Sequence, residues 1–160
     1  MPIYMKFDGI EGQVTAPGFE KQVQLESVQL GVNRHVQLST GHGGNRESSA
    51  PSVSEISISK QQDSASTALL KASLFGEGKK TIISFTKTSA DGKADQTYLT
   101  LTLENTLVSS WSMSGHAHDK PSEMLSLNFT KIEWKYVETD DKNKATKPGI
   151  ATWDLASGKA

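Results

Sequence analysis

Apolar and polar residues alternate along much of the chain, a pattern typical of half-buried β-strands. The most informative segment runs from Leu125 to Tyr136, where two apolar sets stand one position out of phase. The first set is Leu125, Leu127 and Phe129, and the second is Ile132, Trp134 and Tyr136. Because successive side chains of a strand point to opposite faces, one flat strand cannot bury both sets. The sequence therefore predicts a bulge or sharp bend between Phe129 and Ile132, within a closed or strongly curved sheet.

The same alternation predicts further strands, which turn-forming residues separate. The other predicted strands span residues 3–7, 21–32, 34–40, 53–60, 80–88, 98–114 and 150–154, of which residues 98–114 form either one long strand or two short ones. Within residues 21–32 the apolar face changes phase after Ser27, which predicts a second bulge. Ile56, Ile58, Ile83 and Phe85 are expected to face inward.

One helix is predicted between the strands over 53–60 and 80–88. Asp63 or Ser64 can cap its start, and Gly76 can end it in a left-handed conformation. Its apolar stripe consists of Ala65, Ala68, Leu69 and Ala72. Many closely spaced strands with a single helix predict a mainly β fold, either a barrel or a sandwich, with a helical appendage. We expect one domain over residues 1–160, in which residues 136–160 form a partly flexible tail.

The composition narrows the function classes. The 160 residues carry 17 Lys plus Arg against 18 Asp plus Glu, a formal net charge of −1 at pH 7. This balance excludes the strong positive field typical of proteins that bind nucleic acid or anionic membranes. The chain contains no cysteine, which excludes disulfides and thiol chemistry.

The first eight residues do not have the pattern of a signal peptide. They lack a basic start, a continuous apolar stretch and a small-residue cleavage site. No apolar run approaches the roughly 20 residues that a membrane helix needs. We therefore expect a soluble protein made in the cytoplasm, which would leave the cell only by a route other than general secretion.

The four histidines do not form a recognisable catalytic or metal-binding set. His116 and His118 would lie on one side of a strand beside Asp119, but a metal site there needs ligands from elsewhere. His42 stands between glycines, and His35 has no nucleophilic cysteine and no serine in a Gly-x-Ser-x-Gly context. We predict no bound metal and no cofactor, while metal binding by His116 and His118 stays open as an alternative.

Other candidate chemistry is equally sparse. Five carboxylates lie on predicted strands or beside them, namely Glu11, Glu26, Glu55, Glu104 and Glu133. A glycosidase would need two of them across a cleft, but solvent-facing charges explain them equally well. The glycine-rich stretch over 41–44 lacks the Gly-Lys-Ser/Thr sequence and the following helix of a phosphate-binding loop. We therefore predict that the chain is not an enzyme.

Three aromatic residues allow a second interpretation. Trp111, Trp134 and Tyr136 could form a stacking surface for a glycan or another cell-surface ligand, which would make the protein a secreted binding module. The other interpretation is that these side chains pack in the core or at a subunit interface, as large aromatic residues commonly do. We favour packing, and keep the binding module as the alternative function.

Several segments, in the right order, resemble the haemolysin-coregulated protein (Hcp) family, the tube proteins of bacterial type VI secretion systems. The resemblance rests on residues 2–12, 52–56, 98–110 and 123–136. It implies a small antiparallel β-barrel of two curved sheets with one flanking α-helix. It also implies hexameric rings that stack into a tube, which sheath contraction exports from the cell.

The resemblance further implies the partners of this chain. They are further copies of itself in a homo-hexamer and in stacked rings, a valine-glycine-repeat spike protein, the contractile sheath proteins, and small effector proteins carried in the lumen. It implies neither nucleic-acid binding nor membrane insertion, and it implies passage from the cytoplasm to the outside without a signal peptide.

Two groups of residues receive roles by this resemblance. An extended loop that touches the next ring corresponds to Gly41, His42, Gly43, Gly44, Asn45, Arg46 and Glu47. The polar face of a strand that lines the lumen corresponds to Gln24, Glu26 and Gln29. Ordinary solvent exposure is the alternative for both groups.

Overall fold

Thirteen strands and one helix lie in the part of the chain that the structure, a computed structural model, describes: residues 1–37, 47–89, 92, 94–139 and 145–160. The helix is α1 (Ser66–Leu74). The strands are β1 (Ile3–Phe7), β2 (Val23–Leu25), β3 (Ser27–Gln29), β4 (Val32–Asn33), β5 (Val36–Gln37), β6 (Glu47–Ser48), β7 (Ser52–Val53), β8 (Ile56–Gln61), β9 (Lys79–Thr88), β10 (Asp95–Ser114), β11 (Ser122–Asn128), β12 (Lys131–Thr139) and β13 (Ala145–Asp154).

The long strand β10 belongs to two curved sheets. Its first half pairs with β9 and β12, giving sheet I in the order β2-β1-β9-β10-β12-β13. Its second half pairs with β11, giving sheet II in the order β10-β11-β8-β3. The change occurs where Asn105 has a φ of 51° and the register with β9 shifts. A local irregularity of this kind bends a strand and lets it serve both sheets.

The out-of-phase segment bends where the sequence predicts. Strand β11 ends at Asn128, β12 begins at Lys131, and the Thr130 amide donates to the Glu104 carbonyl between them. Phe129 and Ile132 are both buried despite their opposite phases. The predicted bend is therefore confirmed. It brings the first set and Ile132 into one core, whereas Trp134 (40%) and Tyr136 (47%) stay exposed.

The two sheets wrap the core without forming a closed ring of hydrogen bonds. The paired path begins at β2 and ends at β3, and only Glu26 separates these two strands in the chain. Leu25 pairs with β1, whereas Ser27 pairs with β8. The mainly β fold with two curved sheets and one helix is thus confirmed, but the predicted barrel is joined at β2–β3 by the covalent chain instead of by a ladder.

The core lies between the two sheets and under the helix. Its buried side chains are Met5, Phe7, Val23, Leu25, Ile56, Ile58, Ala65, Leu69, Ile83, Leu99, Leu101, Leu103, Val108, Leu125, Leu127, Phe129 and Ile132. The inward orientation predicted for Ile56, Ile58 and Ile83 is confirmed, and Phe85 packs at the margin.

The two ends of α1 differ from the sequence prediction. The Ala65 amide donates to Asp63 Oδ1 (2.9 Å) and the Asp63 amide donates to Ser66 Oγ (2.9 Å), so Asp63 fixes the turn that leads into the helix. The N-cap position itself is Ala65, which has no side-chain cap, instead of the predicted Asp63 or Ser64. The predicted left-handed end at Gly76 is wrong, because the chain leaves the helix at Phe75 in an extended conformation (φ −157°, ψ 142°).

The C-terminal strand is longer than predicted. Strand β13 spans Ala145–Asp154 instead of residues 150–154 alone, and it pairs along β12 with Ala151 opposite Trp134. Of the strand predicted over 34–40, β5 forms residues 36–37, and residues 38–40 lie outside the described part. Asp91 of the predicted Asp91-Gly92 turn also lies outside it.

Tyr4 ties the first strand to the start of β10. Its hydroxyl donates to Asp95 Oδ2 (3.0 Å), and its ring stacks on Phe19 at a centroid distance of 4.6 Å. Burial of the phenol, together with the hydrogen bond to the Asp95 carboxylate and the negative charge of that group, raises the pKa of Tyr4 to about 12. The neutral phenol is therefore the form that stabilises the fold.

We expect Tyr4→Phe to lower the free energy of unfolding by about 1–2 kcal/mol at pH 7, because a hydrogen bond to a carboxylate is lost. Since the pKa is raised in the folded state, the contribution of the hydroxyl is complete below its ordinary pKa of 10 and fades as the pH rises toward 12. Urea unfolding of both proteins between pH 7 and 12 measures this difference. A difference that stays constant over this range would contradict the assignment.

Candidate functional site

The outward face of sheet II is covered by uncharged side chains, most of them serines. We call it the serine face: Ser27, Gln29, Ser57, Ser59, Gln61, Ser110, Ser112, Ser114, Ser122, Met124 and Ser126. These positions alternate with core residues, as in Ile56-Ser57-Ile58-Ser59, so period-two geometry sends every second residue outward. None of the eleven side chains carries a charge. The hydroxyls of Ser27 and Ser59 lie 2.6 Å apart and are hydrogen-bonded to each other.

One large apolar side chain interrupts this surface. Met124 is 61% exposed and pairs with Ser59 on one side and Ser112 on the other. The serine face therefore combines many weak hydrogen-bonding groups with a single soft apolar contact.

The residues expected to line a lumen lie on this side or at its border. Gln24, Glu26 and Gln29 are all exposed, and Gln29 belongs to the serine face opposite Ser57. Gln24 and Glu26 line a polar cleft of about 340 Å³ beside Gln61. Sequence reasoning missed the serines, although the alternation of serine with apolar residues over 56–59 and 125–127 was a signal for them.

Sheet II has two edges without a strand partner among the described residues. The ladder between β9 and β10 ends at Thr106, so residues 107–114 of β10 pair only with β11. At the opposite edge, β3 pairs only with β8. All three pairings within the sheet are antiparallel, so these two edge strands run in opposite directions. Unpaired edges of this kind are templates for another strand.

An apolar groove lies beside the β3 edge. The apolar groove is lined by Leu30, Val32, Pro51, Val53, Ile132, Trp134, Ala151, Thr152 and Trp153, and its volume is about 360 Å³. The groove lies on the core-facing side of β12, at the part of this strand that sheet II does not cover. For this reason Trp134 is 40% exposed and Tyr136 is 47% exposed.

The three aromatic residues of the alternative binding surface lie on two different sheets. Trp111 lies opposite Leu125 on the core side of sheet II and is partly buried. Trp134 and Tyr136 lie on β12 in sheet I, where Tyr136 makes an edge contact with Tyr98 at 6.4 Å. This placement favours packing over a single stacking platform.

A buried ion network joins sheet II to the start of α1. Lys60 and Glu123 are both 0% exposed, and Lys60 Nζ donates to Glu123 Oε2 (3.0 Å). The same ammonium lies 2.9 Å from Asp63 Oδ1 and donates to Ser66 Oγ and the Gln61 carbonyl. Sequence reasoning missed this network, because a lysine after Ile56 and Ile58 is ordinarily assigned to solvent. Its inward phase was the available signal.

The candidate metal and catalytic residues are not assembled into a site. His35, His116 and His118 are exposed, whereas His42 lies outside the described residues. Among the described residues, no three His, Cys, Asp or Glu side chains form a group able to hold a metal ion. Glu55 instead accepts hydrogen bonds from Ser109 Oγ (2.7 Å) and Asn128 Nδ2 (3.1 Å) at the surface.

A family model described as "Type VI secretion system effector, Hcp" matches residues 4–136 of the chain. The chain belongs to the Hcp family. This membership confirms the resemblance seen in the sequence, and it places the protein in type VI secretion. Hcp proteins are structural tube proteins and not a family of enzymes. No curated protein sequence matches the chain.

Solved structures show the same fold along the whole chain. A type six secretion system protein superposes with a TM-score of 0.89 at 23% identity, covering 99% of this chain and 98% of its own. Hcp1 from Salmonella typhimurium gives 0.77 at 25% identity, covering 99% and 97%. A type VI secretion system effector from Yersinia pestis gives 0.75 at 22% identity, covering 95% and 98%.

The structure bears only partly on two expectations that came from the resemblance, the loop over residues 41–47 and the absence of membrane insertion. Of the loop expected to touch the next ring, residues 41–46 lie outside the described part, and Glu47 lies in β6 opposite Gln37. The single described helix has nine residues and is not a membrane-spanning segment.

Proposed function

We propose that this chain is the ring-forming subunit of a type VI secretion inner tube. Six copies would form a ring, rings would stack, and contraction of the sheath would export the tube together with small effectors in its lumen. The observation that carries the proposal is that sheet II has, among the described residues, two edges without a strand partner. These edges run in opposite directions, and the uncharged serine face lies between them.

The free edges support a head-to-tail contact between neighbouring copies. Within sheet II, β3 and residues 107–114 of β10 are antiparallel, so β3 of a second copy can add to the β10 edge and continue the antiparallel order. The same contact repeats at the other edge of each copy. A heterologous contact closes into a ring when its rotation divides the circle, and six copies is one such solution.

This arrangement would turn the serine face toward the lumen. The repeated sheet would form a continuous inner wall, with Gln24, Glu26 and Gln29 of each copy at or beside it. A wall of hydroxyl and amide groups hydrogen-bonds as readily to water as to a passenger protein, so each contact adds little net affinity. An effector would therefore be held by many weak contacts and released readily.

The remaining partners follow from the same proposal. Residues 41–47 would extend from one face of the ring and contact the next ring. A valine-glycine-repeat spike protein would cap the tube, and the sheath would surround it. The absence of strong net charge suits the stacking of identical rings, because large like-signed fields would repel one another.

Export tests this function directly. In the native bacterium, a tagged copy of the chain should reach the culture medium when the sheath genes are intact and remain inside cells when a sheath gene is deleted. A cytoplasmic marker protein, measured in the same medium, controls for lysis. Release at equal levels in both strains would contradict a role in the contractile apparatus.

A further inference from the structure

The C-terminal end of α1 exposes two large apolar side chains. Leu74 is 72% exposed and Phe75 is 73% exposed, and we call this pair the apolar knob. Two adjacent, strongly exposed large apolar side chains form a contiguous apolar patch, and such patches mark interaction sites. The apolar knob needs a partner surface of similar character.

The apolar knob lies beside the free β10 edge. Four residues after Phe75, Lys79 begins β9 and pairs with Thr106, where the β9 ladder ends and the free edge of β10 begins. The helix itself packs against β10. The knob therefore flanks the end of the free edge that starts at Leu107.

The apolar groove flanks the same end of the opposite edge. Across sheet II, Gln29 of β3 pairs with Ser57, Ser57 pairs with Ser126, and Ser126 pairs with Ser110. Gln29 is the last residue of β3, so the chain leaves this strand at the same end of the sheet as Leu107. The groove residues Leu30 and Val32 follow immediately. Knob and groove thus lie at the same height but on opposite sides of the subunit.

We propose that the apolar knob of one copy packs into the apolar groove of the next copy around the ring. This inference rests on the proposed ring and names the contact that fixes it. When β3 of a neighbour adds to the β10 edge in antiparallel order, the neighbour's groove comes beside the knob.

The groove suits such an occupant in size and chemistry. An apolar cavity of about 150 Å³ holds a benzene molecule, so a groove of about 360 Å³ has room for a phenyl ring and an aliphatic side chain. Its lining contains no charged residue, and it includes two large aromatic side chains, Trp134 and Trp153. A buried aromatic in an apolar pocket is the usual form of an interface hot spot.

The first test replaces the knob. We expect Leu74→Ser with Phe75→Ser to raise the concentration at which rings dissociate by about tenfold or more, measured by mass photometry. Both side chains are exposed, so circular dichroism of the variant should match that of the wild type. Met124→Ser is the matched control, since it removes an exposed apolar side chain from the serine face and should leave the dissociation concentration unchanged.

The second test joins the two surfaces covalently. Because the chain has no cysteine, Phe75→Cys with Val32→Cys introduces one thiol on each side of the contact. Oxidation, or a short bismaleimide, should link copies into a ladder that ends at six chains on a denaturing gel. Each single variant should remain unlinked.

The outcomes separate this contact from the proposed function. The knob-in-groove contact would be overturned if the wild type forms rings, the double cysteine variant gives no ladder, and the serine variant dissociates at the wild-type concentration. The proposed role as a tube subunit would not be affected by that result. A linked dimer from Phe75→Cys alone would overturn it in favour of a knob-to-knob contact. A wild-type protein that stays monomeric at every concentration would overturn the ring itself.

Discussion

Replacing Lys60 by methionine is expected to lower the free energy of unfolding by about 3–5 kcal/mol. The ammonium is the shared partner of Glu123 and Asp63, at 3.0 and 2.9 Å, and it is fully buried with Glu123. Removing it leaves a carboxylate in the core without a cation, which costs much more than an intact pair contributes. Urea unfolding, followed by tryptophan fluorescence at one protein concentration, measures the loss.

Two further variants separate the buried pair from charge in general. Lys60→Met combined with Glu123→Leu removes both charges and should recover much of the loss, because well-packed apolar residues replace a buried ion pair at little cost. Lys21→Met breaks an exposed pair with Glu11 and should change the stability by less than about 1 kcal/mol. A Lys60→Met protein as stable as the Lys21→Met protein would show that the buried network does not contribute to the free energy of unfolding.

Replacing Gly12 by alanine is expected to destabilise the fold by about 2–3 kcal/mol. A Cβ at this position would overlap the backbone oxygen of Gln22 and lie 2.8 Å from the Val23 Cα. The Gly12 amide also donates to the Lys21 carbonyl (2.7 Å), so the loop is fixed against β2 and cannot move aside. The added methyl group must therefore displace backbone at the start of a buried strand.

Gly149→Ala is the matched control for that substitution. Gly149 lies in β13 with open space around its Cα and an ordinary φ, so alanine there should be neutral or stabilise by less than about 1 kcal/mol. Thermal unfolding of both variants beside the wild type checks the difference. Equal melting temperatures for the two alanine variants would contradict the close approach of residues 12 and 22.

Alternation of side chains predicted much of this fold, because apolar residues at every second position leave little choice of face. The bend between Phe129 and Ile132 is the clearest case, since these two residues stand in opposite phases and are both buried in the same core. Strand β13 was underestimated because Pro148, Gly149 and the polar residues before them are typical of loops. An edge strand tolerates such residues, since only one of its sides joins a ladder.

The parts of the site that escaped prediction depend on contacts between distant segments. Lys60 and Glu123 are 63 residues apart in the chain, and each alone has the character of a surface charge. The knob at Phe75 and the groove at Trp134 likewise could not be recognised as a possible contact from the sequence, because only the topology of sheet II places both at the same end of that sheet. The lumen role of Gln24, Glu26 and Gln29 comes from family resemblance and stays a prediction.

Native mass spectrometry of the purified wild-type chain tests most directly whether this protein works by assembling. One chain has a mass of 17.3 kDa, so a ring of six should appear at about 104 kDa (6 × 17.3 kDa) and persist on dilution into the low micromolar range. A spectrum that contains only the 17.3 kDa monomer across the whole concentration range would contradict the ring and the tube built from it.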